Sequence, residues 1–385
     1  MKEQQSAKIV NFNFMALFGA VFFLFFALDY YIPILPFYVL HAGGGEAAVG
    51  LLMGLFTFCS IILRPFQGRE LNRTGRKRLL VTGISLYAAA GLGLLFLPSL
   101  PFLFILRAVQ GFGWGAFLLA FNTLTLDLAP PGRSGAAVGL MGMAPPFSLA
   151  IAPFIGETLR ISTAGNYLIL FLVASAAALL ALVSGALVKE PSFEQTGIDK
   201  SPLLLRKVVF PSLIIFCMTF NLGVILTFLP LLGEVRDIRA VGYFFTVFAL
   251  TTVFSRPVAG RLSDLYGRPV IFLPALVVAA GSMIMIALAD NVQAFLLSAF
   301  VLGIGFGSAH SSVMAMAADR LAIMERGVGM ATFTTAFDLG IVVGAVAVGI
   351  LLTWFDFKLI FILCAVIMTL PVFGNFLKSK YRFRY

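Results

Sequence analysis

Charge is scarce in this chain. Asp, Glu, Lys and Arg make up 11% of its 385 residues, against about 25% in an ordinary soluble domain. Hydrophobic residues make up 60%, and the mean hydropathy is +1.02. A single water-soluble core cannot hide that much apolar surface, which excludes a large soluble helical protein. Cysteine is almost as rare. Cys59, Cys217 and Cys364 lie far apart in apolar stretches, so neither a disulfide framework nor a metal-binding spacing is present. Two histidines give no paired metal site. No HExxH, no GxSxG in a plausible setting and no phosphate-binding loop occur, so nothing speaks for an enzyme, a bound cofactor or a nucleotide-driven pump.

What the chain has is long apolar runs. Twelve stretches reach the roughly 20 residues needed to span a bilayer as helix: about 12–40, 47–66, 79–98, 101–126, 135–157, 166–188, 208–232, 241–259, 270–289, 292–318, 328–351 and 357–377. Barrel strands would give short alternating segments instead. The expected fold is an all-α membrane protein of two six-helix bundles, residues 1–188 and 208–385, joined by the polar linker 189–207. The formal charge of +10 invites a nucleic-acid reading, but its distribution does not. Of the 27 Lys and Arg, 22 fall at the termini, in the linker or in the loops on the same side. Under the positive-inside rule this places both termini and the linker in the cytoplasm of a cell-membrane protein. The first apolar run is too long for a signal-peptide core and is kept as a spanning helix.

A charged phrase occurs twice. "RPFQGRELNRTGRKR" starts at Arg64 and "RPVAGRLSDLYGRP" at Arg256, an offset of about half the chain. The offset maps Gly68 on Gly260, Asn72 on Asp264, Gly75 on Gly267 and Arg76 on Arg268. It also maps Gly111, Gly113 and Gly115 on Gly303, Gly305 and Gly307, and Asp127 on Asp319. The expectation is an internal duplication, with the halves repeating in parallel about an axis normal to the membrane.

These phrases resemble the loop signature Gly-x-x-x-Asp-x-x-Gly-Arg-Arg/Lys of the major facilitator superfamily. "RAVQGFGWGA" (107–116) resembles that family's fourth-helix motif. "GLMGMAPPFSLAIAPFIGE" (139–157) resembles the fifth-helix motif of its drug:H+ antiporter branch. Pro153 and Gly156 keep that motif, whereas Ser148, Ala152 and Glu157 stand where the family has glycine. Asn72 likewise replaces the loop aspartate that the second copy keeps as Asp264. The resemblance implies that the loop residues Gly68, Asn72, Gly75, Arg76, Gly260, Asp264, Gly267 and Arg268 form a cytoplasmic latch between the halves, weaker in the first copy.

Ionisable groups inside a span are costly unless they face water or a partner, so each is a functional candidate. Asp29, beside Tyr30 in "FFALDYYIPILP", precedes Pro33 and Pro36, which loosen the helix there. Arg107 is expected to pair with Asp29 or a substrate anion, with Gln110 and Trp114 on the same helical face. Asp338 lies in mid-span beside Gly340 and Gly344, and His310 and Asn221 add polar groups. A proton and a cationic or zwitterionic substrate would compete for one buried carboxylate at a central site. The expected function is proton-coupled export of small amphipathic or cationic compounds by alternating access. The alternative is uptake of a sugar, organic acid or other small metabolite. A monomer suffices for this architecture.

Overall fold

The computed structural model describes residues 11–63, 66–67, 71, 74–130, 133–190, 205–322 and 325–382, with side-chain surroundings described for all of these except 134–135, 326–327 and 373–382. Among the described residues no strand occurs. The helices are α1 (Phe12–Tyr30), α2 (Leu35–His41), α3 (Glu46–Ile62), α4 (Arg76–Gly93), α5 (Leu100–Asp127), α6 (Ser134–Met141), α7 (Ala144–Ser162), α8 (Tyr167–Leu187), α9 (Val209–Val235), α10 (Val241–Tyr266), α11 (Arg268–Leu288), α12 (Val292–Ala318), α13 (Arg326–Leu351) and α14 (Phe357–Arg382). Among the described residues ten stretches are long and apolar enough to cross a membrane, counting α1 with α2 and α6 with α7 as one each. The apolar helices Glu46–Ile62 and Phe357–Val372 are shorter. Large apolar side chains such as Leu172, Val183 and Phe254 point outward, as a lipid-facing surface requires. This is a multi-pass membrane protein.

Local chemistry sets the helix ends. The side chains of Asn11, Asn166 and Asn291 accept from the backbone N–H three residues on, capping α1, α8 and α12. α1 stops at Tyr30 because Pro33 has no N–H to donate, and Pro36 restarts the helix within the first turn of α2. At the far end of α11, Arg236 donates to the carbonyls of Ile286 and Ala289 at 2.8 Å and of Ala287 at 2.7 Å. Those are carbonyls that no further turn of helix satisfies.

Two helices run past their apolar stretches. α7 continues to Ser162, so Glu157 lies inside the helix rather than closing it. α10 continues to Tyr266, which corrects the placement of Gly260 and Asp264 in a loop: both are helical. Polarity ends a span but does not end a helix. Nothing in "RLSDLY" breaks the i to i+4 ladder, and the chain turns only at Gly267, with φ +93°.

The chain divides into two compact units, residues 1–43 with 55–199, and 44–54 with 200–385. In the first unit α4 crosses α5 where two glycines meet. A Cβ on Gly83 would lie 2.6 Å from the Gly113 carbonyl oxygen, and one on Gly113 would lie 2.5 Å from that of Gly83. Gly111 and Gly115, a turn apart on the other face of α5, sit against the carbonyls of Phe56 and Ser60 on α3. The second unit makes the same kind of contacts. Gly305 meets α11 at Ala275 and Ala279, while Gly303 and Gly307 meet α10 at Phe248 and Thr252. α9 and α13 add a further crossing, with Gly223 against Ile341 and Gly340 against Phe216.

A side chain at such a crossing must push backbones apart, so Gly113→Val is expected to cost about 1–3 kcal/mol or more. Gly281 on α11 has nothing within 4 Å of where a Cβ would go. Gly281→Ala is expected to stabilise by up to about 1 kcal/mol, because glycine is a poor helix former. Thermal unfolding of the purified variants checks both signs; equal midpoints would show that the crossing is loose.

Candidate functional site

In the first unit, Asp29 sits in the last turn of α1 and is 8% exposed. Its carboxylate accepts a hydrogen bond of 2.6 Å from the hydroxyl of Ser148 on α7, a side chain that is itself fully buried. Among the described residues no Lys or Arg forms an ion pair with it. α7 reaches α1 closely because Gly156 lies against the break after α1. A Cβ there would be 2.9 Å from the Tyr30 carbonyl oxygen and 3.0 Å from the Pro33 ring. Pro153 lies inside α7, one turn before Gly156. The glycine that the fifth-helix motif retains and the serine that departs from it therefore both face the proline break of α1.

Arg107 on α5 is 2% exposed. It donates through Nη1 to Oε1 of Gln110 at 2.8 Å. Its guanidinium lies 4.3 Å from the ring centroid of Phe56 and 5.9 Å from that of Tyr31, close enough for cation–π attraction. The expected pairing of Arg107 with Asp29 is not made. Arg107 bonds Gln110 and Asp29 bonds Ser148, although Tyr31, beside the guanidinium, follows Asp29 by two residues. Trp114 is packed rather than free, edge-on to Phe25 at 4.7 Å and against Phe56, Tyr87 and Phe117. Tyr30 is buried and stacks on Phe26.

In the second unit, His310 on α12 is half-buried, stacked on Phe306 and edge-on to Phe337. Asp338 follows Phe337 on α13 and is half-buried. Asn221 on α9 is fully buried; its amide donates to the Cys217 carbonyl at 2.9 Å, and among the described residues its own oxygen finds no partner. The glycines beside Asp338 face α9, Gly340 against Phe216 and Gly344 against Phe220.

The charged phrases build similar bridges in the two units. Arg76, opening α4, pairs with Asp127 at the end of α5 at 3.0 Å. Arg268, opening α11, pairs with Asp319 just after α12 at 2.8 Å, and also with Asp264 and the hydroxyl of Ser263. Gly75 and Gly267 precede the two arginines with φ of +96° and +93°. The Glu190 carboxylate accepts from the Arg76 backbone N–H at 2.5 Å and caps α4. Gly68 and Asn72 lie outside the described residues. Just before α9, Lys207 donates to Glu325 at 2.7 Å. That bond, with one from the Ala322 N–H, holds the Glu325 carboxyl below its usual pKa range.

Ser148, Tyr31 and Phe56 are the neighbours that sequence reasoning did not place beside Asp29 and Arg107. Ser148 was visible only as a departure from a glycine motif; its partner is 119 residues away.

A chain whose described residues form helices apolar enough to cross a membrane many times, with a buried carboxylate held by a neutral hydroxyl, defines a class of multi-pass proteins that hold charge inside lipid. A sequence profile of the Major Facilitator Superfamily matches residues 17–240 and 211–377. The chain belongs to that superfamily of transporters, close to its drug:H+ antiporter branch. Quinolone resistance protein NorA of Staphylococcus aureus (strain MSSA476) is 24% identical over 220 residues, and the match spans 56% of each chain. Multi-drug resistance efflux pump PmrA of Streptococcus pneumoniae (strain ATCC BAA-334 / TIGR4) is 24% identical over 303 residues, 74% of this chain and 75% of PmrA. The fold is shared with a point mutant of nucleoside transporter NupG, with TM-score 0.81, 11% identity and coverage of 94% of this chain and 98% of that one. A bacterial homologue of the human lysosomal transporter Spinster, inward-facing and unoccupied, gives TM-score 0.80, 13% identity and 96% coverage of both chains.

The two loop glycines give a paired test. Both lie in a backbone region open essentially to glycine alone, where another residue costs about 1–3 kcal/mol. A Cβ on Gly267 would meet nothing within 4 Å, whereas one on Gly75 would lie 2.9 Å from both Glu190 carboxylate oxygens. Gly75→Ala is therefore expected to lower the thermal midpoint more than Gly267→Ala does; equal losses would show that Glu190 yields freely.

Proposed function

We propose that this chain is a proton-coupled secondary active transporter that exports small amphipathic or cationic compounds from the cell by alternating access. In this reading it crosses the cell membrane twelve times, as two homologous six-helix halves, residues 1–188 and 208–385, joined by the linker 189–207. Both termini are cytoplasmic. H+ is the coupling ion, no cofactor is bound, and the monomer is the working unit. The observation that carries the reading is Asp29, a carboxylate 8% exposed whose partner is the neutral hydroxyl of Ser148. A buried carboxylate without a cation needs a proton or a positively charged group to be comfortable in lipid. It accepts one of the two at a time, so loading a cationic substrate releases a proton and the reverse. That the similar protein PmrA is a multi-drug resistance efflux pump agrees with export.

Each site residue has a place in this scheme. Asp29 exchanges the proton, with Tyr30 beside it on α1. Arg107, oriented by Gln110, sets the local charge balance, and Trp114 belongs to the aromatic wall that an amphipathic substrate favours. In the second unit Asp338, His310 and Asn221 supply further polar groups. A second reading, uptake of a small metabolite, draws support from Ser148, Ala152 and Glu157, which depart from the export branch's glycine motif.

Proteoliposomes holding a pH-sensitive dye test the proposal against lipophilic cations, zwitterions, sugars and organic acids under an imposed proton gradient. Wild type is expected to show proton flux that depends on a lipophilic cation. Asp29→Asn is expected to lose that flux while still binding the compound. Unchanged flux in Asp29→Asn would remove the carboxylate from the mechanism, and flux driven only by sugars or organic acids would favour uptake.

A further inference from the structure

We infer that the first unit holds a bound water molecule under Gly91, and that glycine stands there to make room for it. Four elements meet at this point: the turn after α1, α4, α5 and α8. The position where a Gly91 side chain would begin lies 3.5 Å from the Ser175 hydroxyl, 3.7 Å from the Tyr31 hydroxyl and 3.8 Å from the Gln110 amide nitrogen. These are the nearest atoms to that position, and all three are polar. The three residues are at most 1% exposed. Among the described residues the Ser175 hydroxyl and the Gln110 nitrogen find no hydrogen-bond partner.

Orphaned buried donors are rare and costly, and they are normally satisfied by protein or by ordered water. The Gln110 amide cannot be turned over to relieve the problem. Its oxygen accepts from Arg107, which leaves the nitrogen pointing the other way. A water just beyond the missing side chain comes within hydrogen-bond reach of all three groups. It accepts from the Gln110 N–H and the Ser175 O–H and donates to the Tyr31 oxygen. Three bonds is the usual number for a buried water, and a pocket lined by polar atoms is the kind that holds one. The water would continue a chain that begins at the Arg107 guanidinium and passes through Gln110, so it fixes the amide that orients the arginine. The inference rests on packing inside one unit and not on the transport reading.

The test is thermal unfolding of the purified full chain. Alanine at position 91 meets ordinary contact distances, so the pocket accepts a methyl group without a clash, and glycine-to-alanine in a helix is in itself stabilising. A displaced water reverses that sign. Gly91→Ala is expected to lower the midpoint by about 2–4 °C, and Gly91→Ser, whose hydroxyl takes the water's place, to restore it. In a Ser175→Ala background the loss from Gly91→Ala should shrink. A Gly91→Ala midpoint equal to or above wild type overturns the inference, as does a Gly91→Ser midpoint as low as that of Gly91→Ala. If Gly91→Ala yields no folded protein, a folded Gly91→Ser at the wild-type midpoint supports the water, and failure of both variants overturns it.

Discussion

A helix in lipid gains nothing hydrophobic by leaving its surroundings for another helix. What holds helices together there is close contact of backbones and the hydrogen bonds that closeness allows. The crossing of α4 and α5 at Gly83 and Gly113 is such a contact, and much of the first unit's polar chemistry follows from it. The crossing fixes the register of two helices. Gly93 then falls beside Leu106 and Gly91 beside Gln110. The other face of α5 brings Gly111 against the Phe56 carbonyl. Arg107, one turn earlier on that face, consequently lies over the Phe56 ring. A side chain in place of Gly113 or Gly111 would spoil the packing and move the arginine together.

Charge in this unit is arranged unusually. Arg107 and Asp29 lie on neighbouring elements, and an ion pair would be the simple way to bury both. The structure gives each a neutral hydrogen-bond partner, Gln110 for the cation and Ser148 for the anion. A closed pair would be satisfied and inert. A neutral partner orients the Asp29 carboxylate without cancelling its charge, which is what the proposed exchange of a proton for a cation requires. The serine that breaks the glycine motif thus has a physical role as the donor that holds Asp29, and its presence does not by itself argue against export.

Sequence alone carried much of this. The apolar runs located the spans because lipid admits little else. The glycine triplets were readable because their spacing puts two residues on one face and one on the other. Boundaries were less readable: hydropathy records where an apolar stretch ends, and α10 continues past that point to Tyr266. The partners of the charged residues were the hardest to see. Whether Arg107 meets Asp29 or Gln110 depends on the rotation of whole helices. Ser148 meets Asp29 across 119 residues of chain, a pairing that no local pattern records. Trp114 shows the same limit, since its spacing fits a cavity wall and a packed aromatic cluster equally well.

The charged phrases bear on how such a protein would move. Arg76 at the start of α4 and Asp127 at the end of α5 join the ends of two antiparallel helices, and Arg268 and Asp319 do the same for α11 and α12. An exposed ion pair contributes little energy alone, so stability is a weak reason for keeping it. Geometry is a better one. Each helix pair is already pinned at a small-residue crossing, Gly83 with Gly113 in one unit and Gly305 with Ala279 in the other. A second tie at the end of the pair removes the freedom to pivot about that crossing. Two helices held at two points turn as one body. A transporter that works by alternating access needs bodies of that kind, because rearrangement within a bundle would dissipate the differential binding that drives the change.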